Sequence, residues 1–132
     1  MSERSVIRVV SAEIQRDGAY LLTQRSARAV LPLLWEFPGG RVRQGESDRA
    51  ALARSVRGRI GVEIDVGNKV LEVEHAYDDY DVVLVVYKAG VGSHEPFAAS
   101  VNAVAWVEPA SFGDYPFPGA DQKTVEVLLS DG

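Results

Sequence analysis

Between positions 41 and 59 the chain carries Arg41, Arg43, Arg49, Arg54, Arg57 and Arg59 against only Glu46 and Asp48, a local balance of +4. The 132-residue chain as a whole has a net charge of −5, so everything outside that segment sums to −9. A guanidinium offers a planar fork of donors that pairs with phosphate oxygens. One basic segment on an acidic body therefore suits a small anionic ligand held at one place, and argues against broad nucleic-acid coating. A solvated arginine-rich helix face is the plain alternative reading of the same charges.

Other reactive side chains are scarce. The absence of cysteine removes disulfides, thiolate metal sites and cysteine nucleophiles together, and His75 and His94 are too few and too far apart for a histidine-based metal cluster. Acids are plentiful at Glu63, Asp65, Glu72, Glu74, Asp78, Asp79 and Asp81, but their spacing matches no metal motif. They read as solvent-facing residues on strands and a turn, with a relocated metal site as the alternative.

The elements that must position these groups follow from pattern. Val6 to Ile14 is rich in β-branched residues and is followed by the turn signal Asp17-Gly18 and by Ala19 to Gln24, which predicts a hairpin. Leu31 to Phe37 is apolar and closes on Pro38-Gly39-Gly40, the mark of a loop that something approaches closely. A helix is expected from a Ser47 cap, with Leu52, Val56 and Ile60 recurring at four and Gly61 ending it. Val62 to Val66, Lys69 to Tyr77 and Tyr80 to Lys88 read as strands, the last buried on both faces, and Ala103 to Val107 as another. A short helix over roughly Asp121 to Leu129 ends the chain. Strands around one helix, with a second helix at the end, predict an α+β fold, an α/β/α sandwich on a mixed sheet.

The 46% hydrophobic content over 132 residues fits one domain, residues 1–132, with a sizeable core. No apolar run approaches the roughly 18 to 20 residues needed to cross a bilayer, and the opening MSERSVIRVV lacks the layout of a signal peptide. The expectation is a cytoplasmic protein with no membrane partner.

The stretch GRVRQGESDRAALARSVRGRIGV, Gly40 to Val62, resembles the Nudix box, the metal-binding signature of a family that hydrolyses nucleoside diphosphates linked to another group. The family pattern runs from a glycine through five residues to a glutamate, then seven residues to REUxEExGU with U apolar. Gly40, Glu46, Arg54, Val56, Gly61 and Val62 fall on it, while Ser55, Gly58 and Arg59 stand where three glutamates belong. In a helix those three positions share one face. Carboxylates there would supply the hard oxygen ligands that Mg²⁺ demands; a hydroxyl, a hydrogen and a guanidinium do not. At an effective dielectric near 20, one like-charge contact at about 4 Å costs about 4 kcal/mol, which sets Arg59 against a divalent ion. The resemblance also implies a catalytic glutamate about six residues before the tryptophan matching Trp106, where Ser100 stands, and leaves Arg54 without the neighbouring glutamate it steadies in the family.

TQR at Thr23 to Arg25, LWEFPGG at Leu34 to Gly40 and YPFPGAD at Tyr115 to Asp121 resemble the MutT-like branch, whose members include 8-oxo-dGTP and CTP pyrophosphohydrolases. By that resemblance Arg25 contacts phosphate, Phe37 borders a base and Asp121 recognises its edge, with Gly39, Gly40, Arg41, Arg59 and Phe117 completing a nucleotide site. The same residues also have ordinary readings: Phe37 as core, Arg25 as a surface charge, Asp121 as the cap of the last helix. Tyr77 and Tyr80 are read as simple strand aromatics rather than a pocket rim.

The leading expectation is therefore a Nudix-fold domain with a degenerate box that binds a nucleotide or other small phosphate compound, with no catalytic set intact beyond the remnants Glu46 and Arg54, no metal site and no cofactor. Arg59, with Arg41, Arg54 or Arg57, would hold phosphates without metal. Two alternatives stand beside it: an active Mg²⁺-dependent pyrophosphohydrolase using relocated acids, and a protein-interaction domain whose arginine-rich helix docks an acidic partner.

Overall fold

In the computed structural model, which describes residues 5–130, strand β1 (Ser5–Arg16) organises the sheet. Residues 1–4 and 131–132 of the expected domain lie outside the described residues. Val10 to Ile14 of β1 are all buried, Ser11 and Glu13 included, as befits a central strand covered on both faces. β1 ends in the two-residue turn Asp17-Gly18, with φ of 53° and 82°, and returns as β2 (Ala19–Gln24). Two left-handed residues in succession give the turn twist that suits a tight hairpin.

β2 pairs in turn with β3 (Trp35–Glu36) and β7 (Ala103–Val107), and β4 (Gly39–Arg41) pairs antiparallel with Val9 to Ser11 of β1. On the other side β1 runs parallel to β6 (Tyr80–Gly90), and β6 carries the edge strand β5 (Asp65–Ala76) antiparallel. The sheet is mixed, as expected. Val62–Val66 and Lys69–Tyr77, expected as two strands, are instead covered from Asp65 onward by one: Gly67-Asn68 makes a register shift instead of a turn, and the ladder to β6 continues across it.

Helix α1 (Asp48–Ile60) starts where Ser47 Oγ accepts the Ala50 N–H at 3.1 Å and stops at Gly61, whose φ of 73° only glycine adopts freely. Its buried face is Ala51, Leu52, Ser55, Val56 and Ile60, which packs on Val10, Ala12, Ile14, Val85 and Tyr87. Burial of Leu52, Val56 and Ile60 stabilises by about 1.5–3 kcal/mol each. Helix α2 (Gln122–Ser130) lies against the other face with Leu22, Phe37, Val107 and Phe112, so adjacent Leu21 and Leu22 of β2 point to opposite cores. β6 is buried on both sides for the same reason: Val85 and Tyr87 face α1, while Val82, Leu84 and Val86 face Ala120. The architecture is an α+β sandwich.

Segment 97–100 closes over the end of α1. The N–H groups of Phe97, Ala99 and Ser100 donate to the carbonyls of Ile60, Arg59 and Arg59 at 3.0, 3.0 and 3.1 Å, and Ser100 Oγ donates to Gly58 O at 3.0 Å. Those carbonyls would otherwise be orphaned at the helix terminus. Among the described residues no helix is long and apolar enough to cross a membrane.

Candidate nucleotide site

A cavity of about 450 Å³ opens against β1, β4, β6 and the 3₁₀ turn Gly119–Asp121, a volume typical of small-molecule sites. Its floor depends on Gly39. A Cβ there would lie 1.9 Å from Val10 O, so only glycine lets β4 cross β1 this closely. Gly40 then lies beneath α1, where a Cβ would meet Ser55 Oγ at 2.5 Å and Arg59 Nη2 at 3.2 Å. What approaches the Pro38-Gly39-Gly40 segment is thus the protein's own central strand and helix.

Arg25, Phe37, Gly39 and Gly40 line the cavity, as do Arg41, Arg59 and Asp121. Phe117 does not line it; it stacks on Phe37 with centroids 5.7 Å apart and reaches the cavity only through that ring. Phe37 is 1% exposed and also meets Phe112 edge-on at 6.0 Å, so it is core and cavity wall at once. Tyr77 and Tyr80 are lining residues too, which revises their reading as simple strand aromatics. The turn at Asp78-Asp79 folds them into a stacked pair 5.2 Å apart, and Tyr77 Oη accepts the Ala120 N–H at 3.0 Å. The spacing of two tyrosines around an acidic turn was the available signal.

One polar cluster joins Arg25, Glu36 and Asp121. Arg25 Nη1 reaches Glu36 Oε1 and Oε2 at 3.2 and 3.0 Å, and its Nε donates to Val30 O at 2.7 Å. Asp121 is 6% exposed, within the turn that leads into α2. Burial first, and the Glu36 carboxylate second, push its pKa well above the usual carboxylate range, with Arg25 opposing. Beside this cluster Leu31 and Leu33 hold φ of 56° and 61°, a left-handed conformation that costs a leucine about 1–2 kcal/mol.

A second cluster sits under α1. Arg54 has a partner after all: Nε and Nη2 hold Glu46 Oε2 and Oε1 at 2.8 and 2.9 Å, and Nη2 also donates to Arg41 O at 2.9 Å. The Arg54 hydrogen bonds, with one from the Arg43 N–H, lower the Glu46 pKa to about 2. Arg57 is paired with Glu63, and Arg49 donates to Val66 O and Gly67 O. Neither Arg54 nor Arg57 is left to hold a ligand, which narrows the expected set. Arg41 and Arg59 line the cavity and have no ion-pair partner among the described residues. Ser11 and Ser55, 2% and 4% exposed, each bury a hydroxyl oxygen with no hydrogen-bond partner among the described residues.

These donors do not fit Mg²⁺. The face of α1 offers a hydroxyl, a glycine and a cation, and among the described residues no group of three His, Cys, Asp or Glu is arranged to hold a metal. Of the acids that might have relocated, Glu63 is paired with Arg57 and Glu72 with Lys69, while Asp65, Glu74, Asp78 and Asp79 are exposed. Ser100, expected at the position of a further glutamate, caps the end of α1 instead.

The fold is an α+β domain with a cavity of small-molecule size against its central strand. Residues 9–127 match the model of the NUDIX domain, and the chain belongs to that family, on its MutT-like side. It is 34% identical over 125 residues to the CTP pyrophosphohydrolase of Escherichia coli K12, covering 95% of this chain and 93% of that protein. It is also 34% identical over 121 residues to a putative 8-oxo-dGTP diphosphatase 2 of Mycobacterium tuberculosis H37Rv, covering 86% and 82%. The crystal structure of a MutT protein from Methanosarcina mazei Go1 shares the fold at a TM-score of 0.88 and 23% identity, covering 99% of this chain and 98% of that one.

Proposed function

We propose that this Nudix domain binds a nucleotide or related small phosphate compound and has lost, or largely lost, metal-dependent hydrolysis, acting as a cytoplasmic sensor or regulatory module. The observation that carries the reading is the face of α1, where Ser55, Gly58 and Arg59 offer no carboxylate beside a cavity that keeps its arginines, its aromatic wall and Asp121. Binding groups and hydrolytic groups have parted company. Fold alone is weak evidence for activity once the reacting groups are gone.

The experiment is calorimetric titration with a panel that includes CTP and 8-oxo-dGTP, in Mg²⁺ and then in EDTA, with each mixture assayed for pyrophosphate. Heat without pyrophosphate supports the proposal. A second reading, an active Mg²⁺-dependent pyrophosphohydrolase, is favoured by the likeness to the CTP pyrophosphohydrolase across 95% of the chain. It requires pyrophosphate release only when Mg²⁺ is present, and that result would overturn the first. The protein-interaction reading is weakened because Arg49, Arg54 and Arg57 of α1 bond within the domain.

A further inference from the structure

Three guanidiniums line the cavity, and their circumstances differ. Arg25 is neutralised by Glu36 and tied to Val30 O. Arg41 and Arg59 face the same space with no ion-pair partner among the described residues. Arg59 is the more constrained of the two: it is part-buried, in the last turn of α1, with Nη2 over the bare backbone of Gly40. A cation at that end of a helix is favoured by the macrodipole, so Arg59 supplies positive charge where a metal would otherwise be drawn. A part-buried guanidinium without a counter-charge is stabilised by an anion that completes its hydrogen bonds. Ser11, whose buried hydroxyl lacks a partner, lines the same cavity and adds a neutral donor.

Resting on the reading given above, we propose that Arg59 and Arg41 hold the phosphate of a nucleoside monophosphate directly, making this a metal-independent site selective for a phosphate dianion. The two free guanidiniums match the two charges of a phosphate monoester. A triphosphate brings more charge than they neutralise, and in Mg²⁺ it arrives with a divalent ion that Arg59 repels. The cavity is polarised to orient such a ligand. Its cations without an ion-pair partner among the described residues sit on β4 and α1, while Asp121 and the Tyr77–Tyr80 ring pair lie by the turn before α2 and present acid and apolar faces to a base.

The test is calorimetry of the wild type, Arg59→Gln, Arg59→Lys and Arg41→Gln with CMP, UMP, AMP, GMP and inorganic phosphate, in EDTA and in excess Mg²⁺, with thermal melts verifying that each variant folds. The expected result is that the wild type binds at least one monophosphate equally well in both conditions. Arg59→Gln then weakens it by at least about tenfold, equivalent to about 1.4 kcal/mol. Arg59→Lys, which keeps the charge and loses the fork, falls between. Unchanged affinity in Arg59→Gln overturns the proposal, as does binding that appears only with Mg²⁺, although the latter leaves nucleotide recognition itself intact. Absence of any binding to these probes or to triphosphates, in either condition, sinks both readings together.

Discussion

Burial and the neighbouring Glu36 carboxylate both raise the Asp121 pKa, so the ionised form is the costly one in the folded chain. An unfolded aspartate titrates near about 3.9. The stability this site allows is therefore fully present below that value and is lost as pH rises through the higher folded value. Asparagine keeps the shape and cannot ionise. Asp121→Asn is expected to stabilise the protein by about 1–3 kcal/mol at neutral pH and to converge with the wild type below about pH 4, as thermal melts across that range would reveal. The same shift alters what Asp121 offers a ligand: ionised it only accepts hydrogen bonds, protonated it also donates one. The residue type was legible in the YPFPGAD motif. The upward shift of its pKa was not, because that depends first on burial and then on Glu36 and Arg25, which only the fold brings about.

At the scale of elements, α1 decides what the domain can do. Gly58 is exposed, and a Cβ there would meet nothing within 4 Å, so Gly58→Ala is expected to raise stability by about 1 kcal/mol through helix propensity, read as a higher melting temperature. The combined change Ser55→Glu, Gly58→Glu, Arg59→Glu would put three carboxylates on one face. It is expected to bind a divalent ion more tightly than the wild type, measurable by Mn²⁺ titration of the two side by side. The caps and apolar period of α1 could be read from Ser47, Leu52, Val56, Ile60 and Gly61 because such signals are local. The partner of Arg54 could not, since Glu46 reaches it through the geometry of the loop before the helix. β5 departs from the expected pair of strands for a related reason. Gly67-Asn68 looks like a break in isolation, whereas the neighbouring ladder of β6 carries the strand through it.

Across the whole molecule, the segment 41–59 carries +4 against −9 in the remainder of the chain, and two of its arginines, Arg41 and Arg59, line the cavity, so concentrated positive charge is brought to the place where an anion would enter. The segment 97–100 has a bearing on this that reaches beyond geometry. Its amides are secured by the last carbonyls of the very helix turn that presents Arg59, so neither can open without releasing the other. Securing Arg59 with a ligand should therefore slow the deuterium uptake of Phe97, Ala99 and Ser100, none of which lines the cavity. Hydrogen–deuterium exchange with and without a nucleoside monophosphate would read occupancy from a surface loop, reporting an event that leaves the loop's own shape unchanged.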